Sequence, residues 1–118
     1  MRKPVLIVED DALAREALAT FLEAEGYPVL EAANGEEALD RLQQSEVGLI
    51  LLDIMMPVMD GWQFRAAQLR DPALAGIPVM VITADASARS RAANLGVQDY
   101  MTKPIQFPRL LQFVDRHC

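Results

Sequence analysis

Four strand-like runs in this chain, three of them apolar, each lead to a side chain able to do chemistry. Glu9-Asp10-Asp11 follow Val5 to Val8, Asp53 follows Val47 to Leu52, Thr83-Ala84 follow Val79 to Ile82, and Lys103-Pro104 follow the run from Val97 to Met101. If these runs are neighbouring strands, the carboxylates of Glu9, Asp10 and Asp53 converge. Several carboxylates within a few ångströms stay ionised together only where positive charge offsets their repulsion, so a cation is required. The ligands are all hard oxygens with no His or Cys near them, which favours Mg2+, or Mn2+, over zinc. Such ions bind through one or two carboxylates plus phosphate oxygens, and this points to phosphoryl chemistry. Lys103 suits the same purpose, its ammonium neutralising charge on the transferring oxygens. The Thr83 hydroxyl and the backbone N–H groups near Ile54 and Ala84 complete the cradle. Asp53 is the candidate acceptor, because a carboxylate can act as nucleophile and form an aspartyl-phosphate.

Each residue has a plainer reading when taken alone. Acids at strand ends also cap helices. Asp11, directly before the helical stretch Ala12 to Glu25, and Asp60, before Gly61, are read as caps. A single Thr83 is an ordinary strand-end residue, and a single Lys103 is ordinarily solvated. The joint placement of these groups carries the chemical reading.

The elements that must position them alternate short apolar runs with amphipathic stretches, the pattern of βα units around a parallel sheet. Strands are predicted over Pro4 to Val8, Pro28 to Ala32, Val47 to Leu52, Val79 to Ile82 and Val97 to Met101. Helices are predicted over Ala12 to Glu25, Glu36 to Gln43, Gly61 to Arg70, Ser87 to Leu95 and Phe107 to Arg116. In the first helix Leu13, Ala17, Leu18 and Phe21 recur at helical spacing, and Gly26 is a stop signal. The run Val47 to Leu52 has no polar side chain, as suits a central strand covered on both faces. The fold class is therefore α/β, a doubly wound five-stranded parallel sandwich. Function in such sheets gathers beyond the carboxyl ends of the strands.

The 118 residues suit one domain spanning 1–118, with 11 Lys and Arg against 17 Asp and Glu for a net charge of −6. A negative surface disfavours phosphate backbones, so direct nucleic-acid binding is not expected. No apolar run approaches the ~20 residues of a membrane span, and Met1-Arg2-Lys3-Pro4 lacks a signal peptide's apolar stretch, so a cytoplasmic location is expected. Cys118 is the only cysteine, which rules out an internal disulfide, and His117 beside it is read as a frayed, solvated end.

Val5-Leu6-Ile7-Val8-Glu9-Asp10-Asp11 resembles the first strand and acidic pair of the receiver domains of two-component response regulators. Asp53-Ile54-Met55-Met56-Pro57-Val58-Met59-Asp60-Gly61 is similar to that family's phosphoacceptor signature, and Thr83-Ala84 and Lys103-Pro104 supply its other landmarks in order. The resemblance covers essentially the whole chain and is closest to single-domain, chemotaxis-type receivers. It implies the flavodoxin-like strand order 2-1-3-4-5. It also implies that Asp53 takes a phosphoryl group from a phosphohistidine on a sensor histidine kinase or histidine phosphotransfer protein. Glu9, Asp10, Asp53 and the backbone carbonyl of Met55 would hold Mg2+, Lys103 would pair with the phosphate, Thr83 would close on it, and Tyr100 would occupy an aromatic switch position.

By the same resemblance the fourth helix, fifth strand and fifth helix form the output face, where Arg89, Arg91, Gln98 and Arg109 are candidates for exposure. The implied partners are the kinase or phosphotransfer protein, a downstream protein target and, on phosphorylation, a second copy of the chain. A kinase would grip the first helix near Leu13, Ala14 and Ala17, although Leu13 and Ala17 read equally well as core, and Tyr100 alone reads as a half-buried strand aromatic. Such a protein is a switch, catalysing only its own phosphoryl transfer and slow autodephosphorylation. Glu9 stands where Asp is frequent in the family, Ile105 follows Lys103-Pro104 where many relatives carry Phe, and Met55 and Asp85 lie where the phosphate's lifetime is tuned.

Three other readings share part of this pattern. A flavodoxin-like electron carrier would place a phosphate loop after the first strand, where Glu9-Asp10-Asp11 would repel it. A phosphatase with an aspartate nucleophile needs a second acid two residues on, where Met55 stands. A receiver-like interaction module that works without phosphorylation is the remaining alternative, and the complete acid, Thr and Lys set argues against it.

Overall fold

The computed structural model describes residues 3–54, 59–84, 96–97 and 99–117. In chain order the elements are β1 (Val5–Val8), α1 (Ala12–Ala24), β2 (Val29–Ala32), α2 (Gly35–Gln44), β3 (Leu49–Asp53), α3 (Gly61–Arg70), β4 (Val79–Thr83), β5 (Asp99–Thr102) and α4 (Phe107–His117). The α4 helix is the fifth of the sequence reading; the helix expected from Ser87 to Leu95 lies outside the described residues, as do Arg89, Arg91 and Gln98. The strands form one parallel sheet, as their apolar pattern predicts, in the order β2-β1-β3-β4-β5 that the family resemblance implies.

The period-2 alternation of a strand divides the apolar residues between two faces. Leu6, Val8, Ile50, Leu52, Val79 and Val81 pack on one side against Ala38 and Leu42 of α2 and Phe64 of α3. Val5, Ile7, Leu49, Leu51, Met80, Ile82 and Met101 pack on the other against Leu18, Ala19 and Leu22 of α1 and Leu110, Phe113 and Val114 of α4. Burying side chains of this size stabilises the fold by roughly 1.5–3 kcal/mol each before entropy is counted. Two covered faces make the central strands rigid mounts for whatever follows them.

Helix starts are fixed by side-chain caps. Asp11 Oδ1 accepts from Leu13 N at 3.0 Å, Asn34 Oδ1 from Glu37 N at 2.9 Å, and Asp60 Oδ1 from Gln63 N at 2.9 Å. Gln63 Oε1 accepts from Asp60 N in return, closing a capping box. At the end of α1, Gly26 has a φ of 89°. Its N–H reaches Glu23 O at 3.0 Å and that of Tyr27 reaches Leu22 O at 3.0 Å, the two bonds of a Schellman turn. The buried Tyr27 hydroxyl then donates to Asp115, tying the entry of β2 to α4.

One open reading closes and one expectation changes. The inner stripe of α1 is Leu18, Ala19 and Leu22, whereas Leu13 is 79% exposed and Ala17 is exposed as well, so the ambiguity at these two positions resolves toward the surface. His117 is not a free end: it closes α4, half-buried, with its ring 4.4 Å from that of Phe113. Among the described residues no helix is long and apolar enough to cross a membrane.

Candidate functional site

Asp53 is the last residue of β3, held in the ladder opposite Ile82 of β4 and 6% exposed. Glu9 follows β1, its N–H continuing the ladder to Ala32 O at 3.1 Å, and it is 3% exposed. Asp10 is exposed beside it. One carboxylate oxygen from each of Glu9, Asp10 and Asp53 lies within 4.8 Å of the others. The convergence inferred from the strand ends is therefore present in the fold.

Thr83 closes β4 and is buried. Its carbonyl accepts from Lys103 N at 2.8 Å, which carries the β4–β5 pairing one residue past the strands and aims the Lys103 side chain at the acids. Lys103 Nζ lies 2.5 Å from Glu9 Oε1 and 3.5 Å from Asp53 Oδ2. Burial raises the pKa of Glu9, the neighbouring Asp53 raises it further, and Lys103 works in the opposite sense. Asp10 is also raised, by burial first and then by Glu9. For Lys103, burial alone would lower the pKa, but its bond to Glu9 and the charge of Asp53 outweigh that and raise it. The site thus has more negative charge than its own lysine neutralises.

Gly61 shapes the return of the chain to the site. Its N–H donates to Ile54 O at 2.9 Å, and a Cβ there would stand 2.6 Å from Ile54 Cα and 3.0 Å from Asp53 O. Only a residue without a side chain lets α3 begin this close to the end of β3.

Of the remaining sequence candidates, Ala84 is exposed at the end of β4, and Tyr100 is half-buried on β5, packed against the core cluster shared by α2 and α3. Arg109 is exposed and donates to Tyr100 O at 3.3 Å. Ile105 is partly buried against the α1–α4 side of the core. Met55 and Asp85 lie outside the described residues. Sequence reasoning passed over Arg15, whose Nη1 donates to Glu9 O at 2.8 Å. The available signal was its place one turn after the cap Asp11, which points a long donor back at the acidic turn.

A family model described as the response regulator receiver domain matches residues 5–115. The chain is 35% identical over 116 residues to the polar-differentiation response regulator DivK of Brucella anthropi, covering 97% of this chain and 94% of that protein. It is 38% identical over 112 residues to the transcriptional regulatory protein CrdR of Helicobacter pylori, covering 93% of this chain but 52% of that one. The chain thus spans about half the length of CrdR and of several other curated relatives. Among solved structures, the response regulator TrrA of Thermotoga maritima in complex with Mg2+ and BeF superposes with a TM-score of 0.89 at 29% identity, covering 99% of this chain and 100% of that one.

Proposed function

Because the chain belongs to the response regulator receiver domain family, the phosphorylation-dependent signalling part of two-component systems, we propose that Asp53 is its phosphoacceptor. A carboxylate oxygen of Asp53 attacks the phosphorus of a phosphohistidine on a sensor histidine kinase or phosphotransfer protein. The P–N bond breaks, the imidazole leaves with the bonding pair and takes up a proton, and Asp53 carries an acyl phosphate. The observation that carries this reading is the convergence of the Glu9, Asp10 and Asp53 carboxylates, with the Lys103 ammonium set against Glu9 and Asp53. Asp53 is fixed by β3, so the attacking oxygen needs little reorganisation.

The donor set fits a hard divalent cation, being all oxygen, closely grouped and under-neutralised. Glu9, Asp10 and Asp53, with the Met55 carbonyl, would hold Mg2+, for which Mn2+ can substitute. Bound there, the ion offsets charge on the phosphoryl oxygens. Lys103 pairs with the same oxygens once they arrive, Thr83 supplies a hydroxyl donor from β4, and the N–H of Ala84 completes the cradle. Tyr100, on the neighbouring strand, is the proposed reporter of the change to the output face. Moving a population from nearly all inactive to nearly all active needs roughly 5.5 kcal/mol of differential stabilisation. A few charge-assisted hydrogen bonds at about 1.5–3 kcal/mol each reach that sum. The output is contact with a downstream protein or with a second phosphorylated copy of the chain.

The test is intact mass after incubation with a small-molecule phosphodonor, with and without Mg2+, on the native chain and on Asp53→Asn. One metal-dependent, acid-labile phosphoryl group that Asp53→Asn lacks supports the reading. A chain that neither gains the adduct nor binds Mg2+ is instead an interaction module working without phosphorylation.

A further inference from the structure

The turn that carries Glu9 and Asp10 is gripped at both ends by one residue. Arg15 N donates to Asp11 O at 2.9 Å, the first bond of α1, and Arg15 Nη1 donates to Glu9 O at 2.8 Å. Asp10 lies between those two carbonyls. The guanidinium Nε also lies 3.3 Å from Glu31 Oε1, and the separate Arg41 Nε donates to the Glu31 backbone carbonyl at 3.1 Å, a bond that involves neither Arg15 nor Glu9. Arg15 and Glu31 are too exposed for their ion pair to contribute much, at 21% and 47% of the side chain. The charge-assisted bond to the Glu9 carbonyl is the stronger contact, and only a planar fork can serve that carbonyl and Glu31 at once.

We propose that Arg15 is a positioning residue of the acidic site: by holding the Glu9 carbonyl it sets where the Glu9 and Asp10 carboxylates meet that of Asp53. This inference rests on the divalent-cation reading given above. Partners that orient a ligand from behind commonly change metal affinity 10- to 100-fold when removed. The sign of the effect separates positioning from simple electrostatics. Arg15 is a cation near a cation site, so if charge were its whole influence, its loss would tighten Mg2+ binding.

The experiment is calorimetric titration of the full chain with Mg2+ for the native protein, Arg15→Ala, Arg15→Lys and Arg41→Ala, together with amide exchange of Asp10 and Asp11 in metal-free buffer. Expected are Mg2+ binding about tenfold weaker in Arg15→Ala, an intermediate loss in Arg15→Lys, and affinity within about twofold of native in Arg41→Ala, which does not touch Glu9. Exchange at Asp10 and Asp11 should quicken in Arg15→Ala even without metal. Equal or tighter binding in Arg15→Ala, unchanged exchange there, or equal weakening in Arg15→Ala and Arg41→Ala each overturns the positioning role alone. Failure of the native chain to bind Mg2+ overturns the cation reading and this inference with it.

Discussion

The Lys103 ammonium stands 2.5 Å from the Glu9 carboxylate, a contact between residues 94 apart in the chain. It exists only when β1 and β5 flank the assembled β3–β4 pair, so it reports the assembly of these four strands. Removing one partner of a fully buried ion pair costs about 3–5 kcal/mol. The Lys103 side chain is 28% exposed, which reduces this, so Lys103→Met should destabilise the metal-free protein by roughly 1–3 kcal/mol. Mg2+ should then raise the melting temperature of the variant more than that of the native chain, because it alone offsets the acids. Thermal melts in EDTA and in Mg2+ check both statements, and an unchanged midpoint in EDTA would show that the pair contributes nothing.

Much of this site was legible because its residues sit at strand ends, where an apolar run stops at one chemically able side chain. Asp53 extends β3 by one residue beyond the predicted run because its backbone still pairs with Ile82. The α3 helix matches its predicted span of Gly61 to Arg70, fixed by the Asp60 cap. What stayed hidden depends on contacts distant in sequence. Leu13 and Ala17 fall at helical spacing with Leu18, yet α1 rests on Leu18, Ala19 and Leu22, and no local signal separates the two stripes. Arg65 and Gln68 are buried despite their polarity. Their position on one helix face with Gly61 and Phe64 was the available clue, and the rule that charged residues face water argued the other way.

Asp53→Asn should stabilise the metal-free protein while abolishing the adduct. The substitution leaves Lys103 facing a single buried carboxylate, that of Glu9, and removes the like charge beside it. A gain of about 1 kcal/mol corresponds to roughly 3–6 °C for a domain of this size. Melts in EDTA test it. With saturating Mg2+ the difference should shrink or reverse, since the native chain gains more from the ion. A variant less stable than native in EDTA would show that the acids are fully neutralised without metal.

Gly61→Ala tests the closeness of α3 to β3. Alanine favours helix by up to about 1 kcal/mol over glycine. The new Cβ, however, would meet the backbone at Ile54 Cα and Asp53 O rather than a side chain able to swing away. Overpacking of this kind costs about 1–3 kcal/mol, so the clash should win and the variant should melt lower. Because the displaced atoms belong to Asp53 and its neighbour, the phosphorylation rate with a small donor should also fall. A melting temperature at or above native would mean that the helix start relaxes freely.

The buried Arg65–Gln68 pair couples α3 to two separate turns. Arg65 Nη1 donates to Gln68 Oε1 at 2.7 Å and its Nη2 to Gly96 O at 3.1 Å, while Gln68 Nε2 reaches Leu74 O at 2.9 Å and Ile77 O at 3.2 Å. Burial lowers the Arg65 pKa, a sign that the surrounding carbonyls only partly replace water. Arg65→Leu leaves Gln68 Oε1 and Gly96 O without this donor and should cost about 2–3 kcal/mol. Gln68→Leu removes the acceptor of this Arg65 Nη1 bond and the donor to the Leu74 and Ile77 carbonyls, at a similar cost. The double variant should lose less than the sum, because neither side chain then leaves the other's polar atom stranded, giving a coupling of about 1–2 kcal/mol in a double-mutant cycle. Denaturant unfolding of the four proteins measures it. Strict additivity would mean that the two side chains hold their turns independently, and that α3 anchors the approach to β4 through Gln68 and the turn at Gly96 through Arg65 as separate contacts.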